Sequence, residues 1–377
     1  MIEVTDKSRC CGCSACAGVC PVHCISMVAD SEGFKYPSVD PDLCISCGQC
    51  ELVCPMTAPN KCSENKAYAV RVPEYERVSS SGGVFSSLAE KALEEGGVVF
   101  GAAFDDKLHL QHIKVEDRSM LGQLRGSKYV QSDMTGVYRQ VRDELSYGRK
   151  VVFSGTPCQV AGLQKFLGKD YPELFTVDLA CHGVPSPKVW DRYVREKGKG
   201  MLGVNFRDKS EGWKKYHIAY IYKDRTERIR HDKDLYMQLF LQNTSLRPSC
   251  YDCAFRNGGN CSDLTLADFW AVVDVLPEMN DGKGVSAVIA NTAKGKELIK
   301  GLTQSIEVRY EDAVKANGGF FSTFEVPAGR NDFFQGLDAA EDLKKYIRRF
   351  VKTKSAVREA YERLHTVLAT IKKRILS

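Results

Sequence analysis

Residues 10–21 read CCGCSACAGVCP, and residues 44–55 read CISCGQCELVCP. Both stretches contain the pattern C-x2-C-x2-C-x3-C-P. Three thiolates spaced in this way can surround one four-iron cluster within a single turn of chain, whereas the fourth cysteine reaches a different cluster. The spacing therefore predicts two 4Fe-4S clusters with crossed ligands. The first cluster takes Cys10, Cys13, Cys16 and Cys54, and the second takes Cys44, Cys47, Cys50 and Cys20.

The duplicated motif resembles that of the bacterial two-cluster ferredoxins. The resemblance implies a small α+β ferredoxin-like domain over residues 1–63. Two alternatives are a pair of zinc sites and a disulfide framework, but zinc sites pair two C-x2-C units and need neither a third cysteine nor a closing proline. Cys11, Cys24 and Cys62 fall outside the register, and we expect Cys24 and Cys62 to be small buried residues.

The whole chain has the composition of a globular protein. Its 377 residues, 43% hydrophobic and 27% charged, are enough for two or three domains. We identify no signal sequence and no apolar run of membrane-spanning length, so sixteen cysteines favour metal ligation in a reducing cytoplasm. The net charge of +5 is concentrated in residues 341–377, which carry +7, and gives little support for nucleic-acid binding.

Strands and helices alternate after the cysteine-rich segment. Short apolar strands end in polar turns at Ser154-Gly155-Thr156 and at Cys181-His182-Gly183, and a helix follows each turn. This alternation predicts an α/β domain with a largely parallel sheet over residues 64–316. Because ligands bind at the carboxyl ends of strands in such sheets, both turns are expected at one cleft. Residues 317–340 are predicted to be a loop-rich connector.

Another polar turn precedes a helix earlier in this domain. Ser79-Ser80-Ser81-Gly82-Gly83 is followed by apolar residues at helical spacing. Unpaired backbone N–H groups at a helix N-terminus favour a phosphate there. The alternative is an ordinary serine cap with glycines for the turn. The stretch matches neither a Walker motif nor a dinucleotide fingerprint.

A further group of cysteines, Cys250, Cys253 and Cys261, is one thiolate short of a cluster. Cys158 and Cys181 both lie at strand ends, and Cys158 is the preferred fourth ligand because it directly follows a Thr-Pro turn. We predict a third 4Fe-4S cluster, since zinc would carry no electrons in a chain that already binds clusters. A three-cysteine zinc site and thiols without metal are the alternatives.

Several segments together resemble the beta subunit family of coenzyme F-420 hydrogenase/dehydrogenase. These segments are residues 78–85, 126–132, 153–160, 180–186 and 205–209, and the cysteines 250 and 253 together with residues 266–270. The resemblance covers about residues 66–300 and implies a flavin, FAD or FMN, near a 4Fe-4S cluster. The residues that would contact the flavin are Ser81, Gly82, Gly83, Ser127, Lys128, Tyr129 and Thr156. The chain departs from the family pattern at Ala267 and Ala271, where glycine is common.

The resemblance implies an oxidoreductase. A flavin exchanges a hydride as an electron pair, whereas clusters carry single electrons. Together they would connect a hydride donor or acceptor, a deazaflavin or another molecule, to a one-electron partner protein. Lys128 would hold a phosphate or carboxylate as a point charge, and His182 would move the accompanying proton unless it is a hydrogen-bonded turn residue. The alternative function is an electron-relay subunit of a larger redox complex without its own substrate.

The last segment, residues 341–377, is predicted to be a basic amphipathic helix. Its apolar residues form an a/d seam over nearly three heptads. The seam consists of Val357, Tyr361, Leu364, Leu368, Ile371 and Ile375. The helix either packs on its own body or mediates self-association, with binding to a membrane surface as a further alternative.

Overall fold

The computed structural model describes residues 1–57, 65–198, 200–256, 262–321 and 323–352. Residues 1–57 form a cysteine-rich unit with two short helices and one hairpin. Its elements are α1 (Ala15–Val19), β1 (Ile25–Ala29), β2 (Lys35–Val39) and α2 (Gln49–Leu52). The two strands are antiparallel, with Ile25 opposite Val39. Each helix begins one residue before the third cysteine of its motif, so the two halves of the unit follow the repeat in the sequence.

The rest of the chain folds around an eight-stranded sheet and a three-stranded sheet. Between residues 65 and 198 the elements are β3 (Lys66–Arg71), α3 (Val84–Glu94), β4 (Val98–Phe104), β5 (Leu110–Val115), α4 (Val137–Ser146), β6 (Val151–Ser154), α5 (Pro157–Leu167), β7 (Leu174–Leu179) and α6 (Pro187–Lys197). Between residues 200 and 256 they are β8 (Met201–Asp208), β9 (His217–Tyr222), β10 (Thr226–Arg230) and α7 (Leu235–Leu241). The last elements are β11 (Leu264–Asp268), α8 (Val272–Val275), β12 (Ser286–Ala290), α9 (Ala293–Lys300), β13 (Gln304–Val308), α10 (Tyr310–Val314), α11 (Gly318–Phe321), α12 (Arg330–Gly336) and α13 (Leu343–Ile347).

The eight-stranded sheet is mixed. Its strand order is β13-β3-β12-β11-β7-β6-β4-β5. The four central strands, from β11 to β4, run parallel, whereas the pairs toward both edges are antiparallel. The predicted α/β alternation is therefore found, but the expectation of a largely parallel sheet is wrong. One physical reason is that only a short loop joins β4 to β5, and such a loop permits antiparallel pairing alone.

The smaller sheet has the order β10-β9-β8. In this sheet β9 and β10 form an antiparallel hairpin, and β8 pairs with β9 on the other side. Residues from β8 and β9 enter an apolar core that also contains Trp190 of α6. This core fixes β8, which contains residues 205–208 of the family-like segment 205–209, against the main sheet domain.

The cysteine-rich unit packs closely against the body. Gly162 of α5 lies against the first cysteine motif, where a β-carbon at position 162 would be 2.9 Å from Sγ of Cys13. The hairpin turn is held by Glu32, whose carboxylate accepts two hydrogen bonds from the Arg330 guanidinium at 2.8 and 2.5 Å. The first contact places the first cysteine motif against the middle of α5, and the second fixes the hairpin to the C-terminal part of the body.

Residues 323–352 also pack on the body. Phe333, Leu337 and Ile347 are buried in the same core as Trp190 and Phe34. The predicted a/d seam lies outside the described residues. Of the helices that the structure describes, none is long and apolar enough to cross a membrane.

Candidate functional site

Two small cavities in the cysteine-rich unit lie at the predicted cluster positions. The first is bounded by Cys10, Cys13, Cys16 and Cys54, and the second by Cys20, Cys44, Cys47 and Cys50, each with other side chains. Each cavity gathers three cysteines of one motif and the last cysteine of the other, as the spacing predicts. Within the described residues, no three Cys, His, Asp or Glu side chains are grouped tightly enough to hold a single metal ion.

Each cavity also contains a cysteine that the motif does not use. Cys11 lines the first cavity and Cys24 lines the second. Sγ of Cys24 is 3.4 Å from Sγ of Cys20. Cys24 is buried, as expected, but it is also a direct neighbour of a predicted ligand. Cys62 lies outside the described residues.

A third group of cysteines forms where three segments of the body meet. Cys158 is in the first turn of α5, Cys181 lies just beyond β7, and Cys250 and Cys253 lie in and after the short 3-10 helix Pro248–Cys250. Burial raises the pKa of the Cys181 thiol well above its usual range, and the charges of the other three sulfurs add to that rise. The four sulfurs are therefore close enough to act on one another.

This grouping differs from the predicted one. Sequence reasoning selected Cys158 over Cys181 as the partner of Cys250 and Cys253, with Cys261 as another ligand. The structure brings both Cys158 and Cys181 to the group, because they follow neighbouring parallel strands whose carboxyl ends lie side by side. Cys261 lies outside the described residues.

Cys11 links the third group to the first cavity. Interaction with the Cys13 thiol, together with burial, raises the pKa of the Cys11 thiol well above its usual range, and the Cys158 thiol also acts on it. Cys11 and Cys13 are buried in one apolar cluster, against which Cys158 and Cys253 pack. The first motif and the third cysteine group are thus in direct contact, although sequence reasoning set Cys11 aside.

The carboxyl ends of the central strands open into a cavity of about 540 Å³. It is lined by the three segments that the sequence predicted to contact a flavin. Of the residues named there, Ser81, Gly83, Ser127, Lys128, Tyr129 and Thr156 line the cavity, and so does His182. Cys181 also lines it, so the third cysteine group reaches the cavity wall. A volume of this size is typical of cofactor and small-molecule sites.

The turn before α3 differs in one detail from the prediction. Gly82 faces away from the cavity: its amide donates to Oγ of Ser286 at 3.0 Å, and a β-carbon at Gly82 would lie 2.4 Å from the carbonyl oxygen of Val70. Gly83 does line the cavity and caps the eleven-residue helix α3 with a φ of 89°, which favours glycine. The first turn of α3 lines the cavity as well, which places the positive end of the helix dipole at its wall.

Lys128 has a different role from the predicted one. Its half-buried ammonium group donates three hydrogen bonds to backbone carbonyls, to Leu124 at 3.1 Å, Arg125 at 2.9 Å and Gly126 at 3.1 Å. These bonds use all three of its N–H groups. Burial lowers the pKa of Lys128 to about 7. Lys128 therefore braces the loop that lines the cavity and is not the lone, exposed point charge that the sequence suggested.

His182 is a hydrogen-bonded turn residue at the cavity wall. Its Nε2 donates to Oδ1 of Asn243 at 2.7 Å, and its ring centre lies 4.9 Å from that of Phe240 and 4.6 Å from that of Phe324. Burial lowers the pKa of His182. At neutral pH this side chain is uncharged, with one nitrogen already engaged, which favours a structural role over proton transfer.

Sequence reasoning missed His112, a buried histidine that also lines the cavity. Its Nε2 donates to the carbonyl oxygen of Ser154 at 3.0 Å, and Ser132 Oγ donates to its Nδ1 at 2.8 Å. Gln159 extends the network by donating to Ser132 and accepting from the amide of Thr156. Burial lowers the pKa of His112 to about 4. The neutral imidazole thus fixes the end of β6 at the cavity.

A buried ion pair forms another part of the wall. Nη2 of Arg207 donates to Oδ2 of Asp268 at 2.7 Å, and Trp213 donates to Oδ1 of the same carboxylate at 3.2 Å. The Arg207 guanidinium lies 4.0 Å from the centre of the Tyr216 ring and 5.2 Å from that of Trp270. Nε of Arg207 is buried without a hydrogen-bond partner among the described residues. The sequence singled out these segments but assigned no role to Arg207 or Asp268.

Cysteine groups joined to a cofactor-sized cavity define an iron–sulfur protein of the electron-transfer class. Sequence comparison agrees with this class. Residues 67–139 match the N-terminal part of the coenzyme F420 hydrogenase/dehydrogenase beta subunit, residues 148–316 match its C-terminal part, and residues 9–58 match a 4Fe-4S dicluster domain. Because the first two matches together span more than half of the chain, the protein belongs to the coenzyme F420 hydrogenase/dehydrogenase beta subunit family.

One solved structure that resembles the chain is a xenon derivative of the F420-reducing nickel–iron hydrogenase complex from Methanosarcina barkeri. The alignment covers 77% of this chain and 91% of that chain, with 17% sequence identity and a TM-score of 0.44. No curated protein matches the sequence. The family resemblance inferred from sequence motifs is confirmed by the sequence comparison.

Proposed function

We propose that the protein is an iron–sulfur flavoprotein oxidoreductase. A flavin, FAD or FMN, in the 540 Å³ cavity would exchange a hydride with a deazaflavin or another two-electron donor or acceptor. Three 4Fe-4S clusters would pass its electrons singly to a partner. One observation carries this proposal: the sites are continuous. Cys181 belongs to both the cavity wall and the third cysteine group, and Cys158 of that group packs against the buried cluster that contains Cys11 and Cys13 of the first cluster cavity.

The third cluster is proposed to bind Cys158, Cys181, Cys250 and Cys253. Burial is the main cause that raises the pKa of the thiols of Cys181, Cys250 and Cys253, and interaction with the Cys11 thiol is the largest cause that raises it at Cys158. Metal-free, these thiols are therefore neutral, and iron would bind with release of their protons. Four sulfurs are the number that a four-iron cluster takes. With these four ligands, the third cluster does not need Cys261 as a ligand.

The chain's own residues offer the flavin two kinds of surface. The first turn of α3 suits a phosphate because of the helix dipole and its N-terminal N–H groups. Arg207 is held between Asp268 and the aromatic rings. It suits a flat ring system with carbonyl acceptors, because its Nε–H group has no hydrogen-bond partner among the described residues. His112 is uncharged, so it stabilises the cavity wall between these two surfaces without placing a charge there.

The second cluster cavity is where a partner protein would receive electrons. Cys47 is exposed there, and so are three large apolar neighbours: Leu43 at 56%, Ile45 at 61% and Leu52 at 77%. An electron-relay subunit without its own substrate would present the same surface. It would have no use for the large cavity, and this is why we favour the enzyme. Self-association through residues 341–377 stays a prediction, since the a/d seam is outside the described residues.

Flavin titration of anaerobically reconstituted protein tests the proposal. We expect one flavin per chain, measured by absorbance and equilibrium dialysis with FAD and with FMN. Ala267→Phe, which places a ring in the cavity, should abolish binding but leave the iron content unchanged. The matched control is Ser305→Phe on the exposed strand β13, which should bind flavin normally. Iron-loaded parent protein that binds neither flavin would contradict the proposal and favour the relay subunit.

A further inference from the structure

Arg247 is fully buried between the first cysteine motif and the third cysteine group. It precedes Cys250 by three residues, and its carbonyl oxygen accepts a hydrogen bond from the Cys250 amide at 2.9 Å. Its side chain reaches into the cysteine-rich unit. Nε donates to the carbonyl oxygen of Cys10 at 2.7 Å, and Nη2 donates to Sγ of Cys10 at 3.6 Å. One guanidinium therefore contacts both the backbone and the sulfur of a proposed cluster ligand.

Further contacts fix the guanidinium in position. Nη1 donates to Oε1 of Gln131 at 3.0 Å, and Nη2 donates to the carbonyl oxygen of Lys35 at 3.0 Å. The guanidinium carbon lies 4.3 Å from the centre of the Tyr36 ring. The backbone of the first motif packs closely against the guanidinium: a β-carbon at Gly12 would be 2.7 Å from Nη1 of Arg247. The group is held at a fixed distance from the first cluster cavity.

The hydrogen-bond partners of Arg247 in the described part of the chain include no carboxylate. Two other buried guanidinium groups in this protein have one: Arg207 pairs with Asp268, and Arg330 pairs with Glu32. A buried charge without a counter-charge is costly. A thiolate-ligated 4Fe-4S cluster at Cys10 carries net negative charge and would supply the missing partner.

We infer that Arg247 raises the reduction potential of the cluster bounded by Cys10, Cys13, Cys16 and Cys54. Reduction adds one electron, and therefore one negative charge, to the cluster without making or breaking a bond. A fixed positive charge and an N–H···S hydrogen bond both favour the more negative state. Burial keeps this effect strong because solvent does not screen it. The inference rests on the proposed cluster position but is independent of the flavin.

The test is an EPR-monitored potentiometric titration of the full chain, with dithionite as reductant and without added flavin. It compares the parent protein with Arg247→Gln, Arg247→Lys and Arg139→Gln. Arg139 is the matched control because its guanidinium donates to the carbonyl oxygens of Gly18, Ala17 and Cys20 and contacts no cysteine sulfur among the described residues. The cluster concerned is identified as the one whose signal changes in a Cys10→Ser variant.

In Arg247→Gln, the midpoint of that cluster should shift to a more negative potential at unchanged iron content. Arg247→Lys keeps the charge but not the planar fork, so its shift should have the same sign and be smaller. Arg139→Gln should leave the midpoint unchanged.

An unshifted midpoint in Arg247→Gln overturns the inference. Where that variant fails to load iron, an unshifted Arg247→Lys overturns it instead. Parent protein without cluster signals would overturn the cluster positions themselves, and failure to bind flavin would affect the proposed function alone.

Discussion

Cys158 packs against the buried apolar cluster that contains Cys11, and this packing joins the cysteine-rich unit to the strand end that opens into the large cavity. Cys11 also shares that cluster with Cys13 and lines the first cluster cavity. The proposed positions of the first and third clusters are therefore adjacent, with the Cys11 thiol between them. In the proposed enzyme, this is where electrons would pass from the body to the cysteine-rich unit.

Replacing one cysteine of the third group should remove about four irons per chain, because a cubane that lacks a ligand is labile. The variants are Cys158→Ser, Cys181→Ser, Cys250→Ser and Cys253→Ser, and the measurement is iron and acid-labile sulfide in anaerobic protein. Cys261→Ser is the control and should keep its iron. Iron loss in the Cys261 variant, with full iron in Cys181→Ser, would favour the ligand set that the sequence suggested first.

The crossed ligands of the cysteine-rich unit predict which cluster a Cys20 variant affects. Cys20→Ser should alter the EPR signal of the cluster held by Cys44, Cys47 and Cys50, and leave the other cluster unchanged. Because Sγ of Cys24 lies 3.4 Å from Sγ of Cys20, the single variant Cys20→Ser keeps the Cys24 thiol close to the position of the lost ligand. The double variant Cys20→Ser/Cys24→Ser should lose about four irons. Damage to the Cys10 cluster instead would show that the ligands are not crossed.

The ion pair between Glu32 and Arg330 should hold the cysteine-rich unit on the body. The two side chains are 17% and 6% exposed, so Glu32→Ala leaves a buried cation unpaired, at a cost of about 3 kcal/mol or more. We expect a clearly lower thermal midpoint by differential scanning calorimetry. Glu51→Ala is the control, since Glu51 pairs with the chain terminus at the surface and contributes little. Equal midpoints in the two variants would contradict this role.

Acid should destabilise the protein through His112. Burial lowers the pKa of His112 to about 4, below its ordinary value of 6.5. Between these values the unfolded chain binds a proton that the folded chain does not, so stability falls as the pH drops, by up to about 3 kcal/mol. His112→Gln should flatten the pH dependence of the urea midpoint between pH 7 and pH 5. His109→Gln, at an exposed position, should not. An unchanged pH dependence in His112→Gln would count against this explanation.

The local parts of the site could be predicted from the sequence. The crossed cysteine sets follow from spacing within two short motifs, and the turn at Gly83 follows from a glycine that precedes a helix. The strand ends at Thr156 and Cys181 were placed at one cleft because parallel strands align their carboxyl ends. Each of these depends on residues that are close in sequence or on a general rule of sheet topology.

The remaining parts depend on contacts between distant segments. The sequence favours Cys158 over Cys181 as a ligand, and only the neighbouring positions of β6 and β7 show that both reach Cys250. Gly82 and Lys128 looked available for a ligand, yet Ser286 and three carbonyl groups already engage them. The sheet is mixed because β12 and β13, from late in the chain, flank β3. No spacing in the sequence indicates these pairings.

The central claim, that a flavin in the cavity delivers electrons through the third cluster, is tested most directly by single-turnover reduction. Flavin-loaded, anaerobic protein is mixed with a hydride donor, reduced F420 or NADH, and followed by absorbance for the flavin and by freeze-quench EPR for the clusters. In the parent, reduction of the flavin should be followed by reduction of the clusters in the cysteine-rich unit. In Cys158→Ser, the flavin should be reduced while those clusters stay oxidised. Cluster reduction that is equally fast in both proteins, or clusters that stay oxidised in the fully loaded parent, would contradict the account.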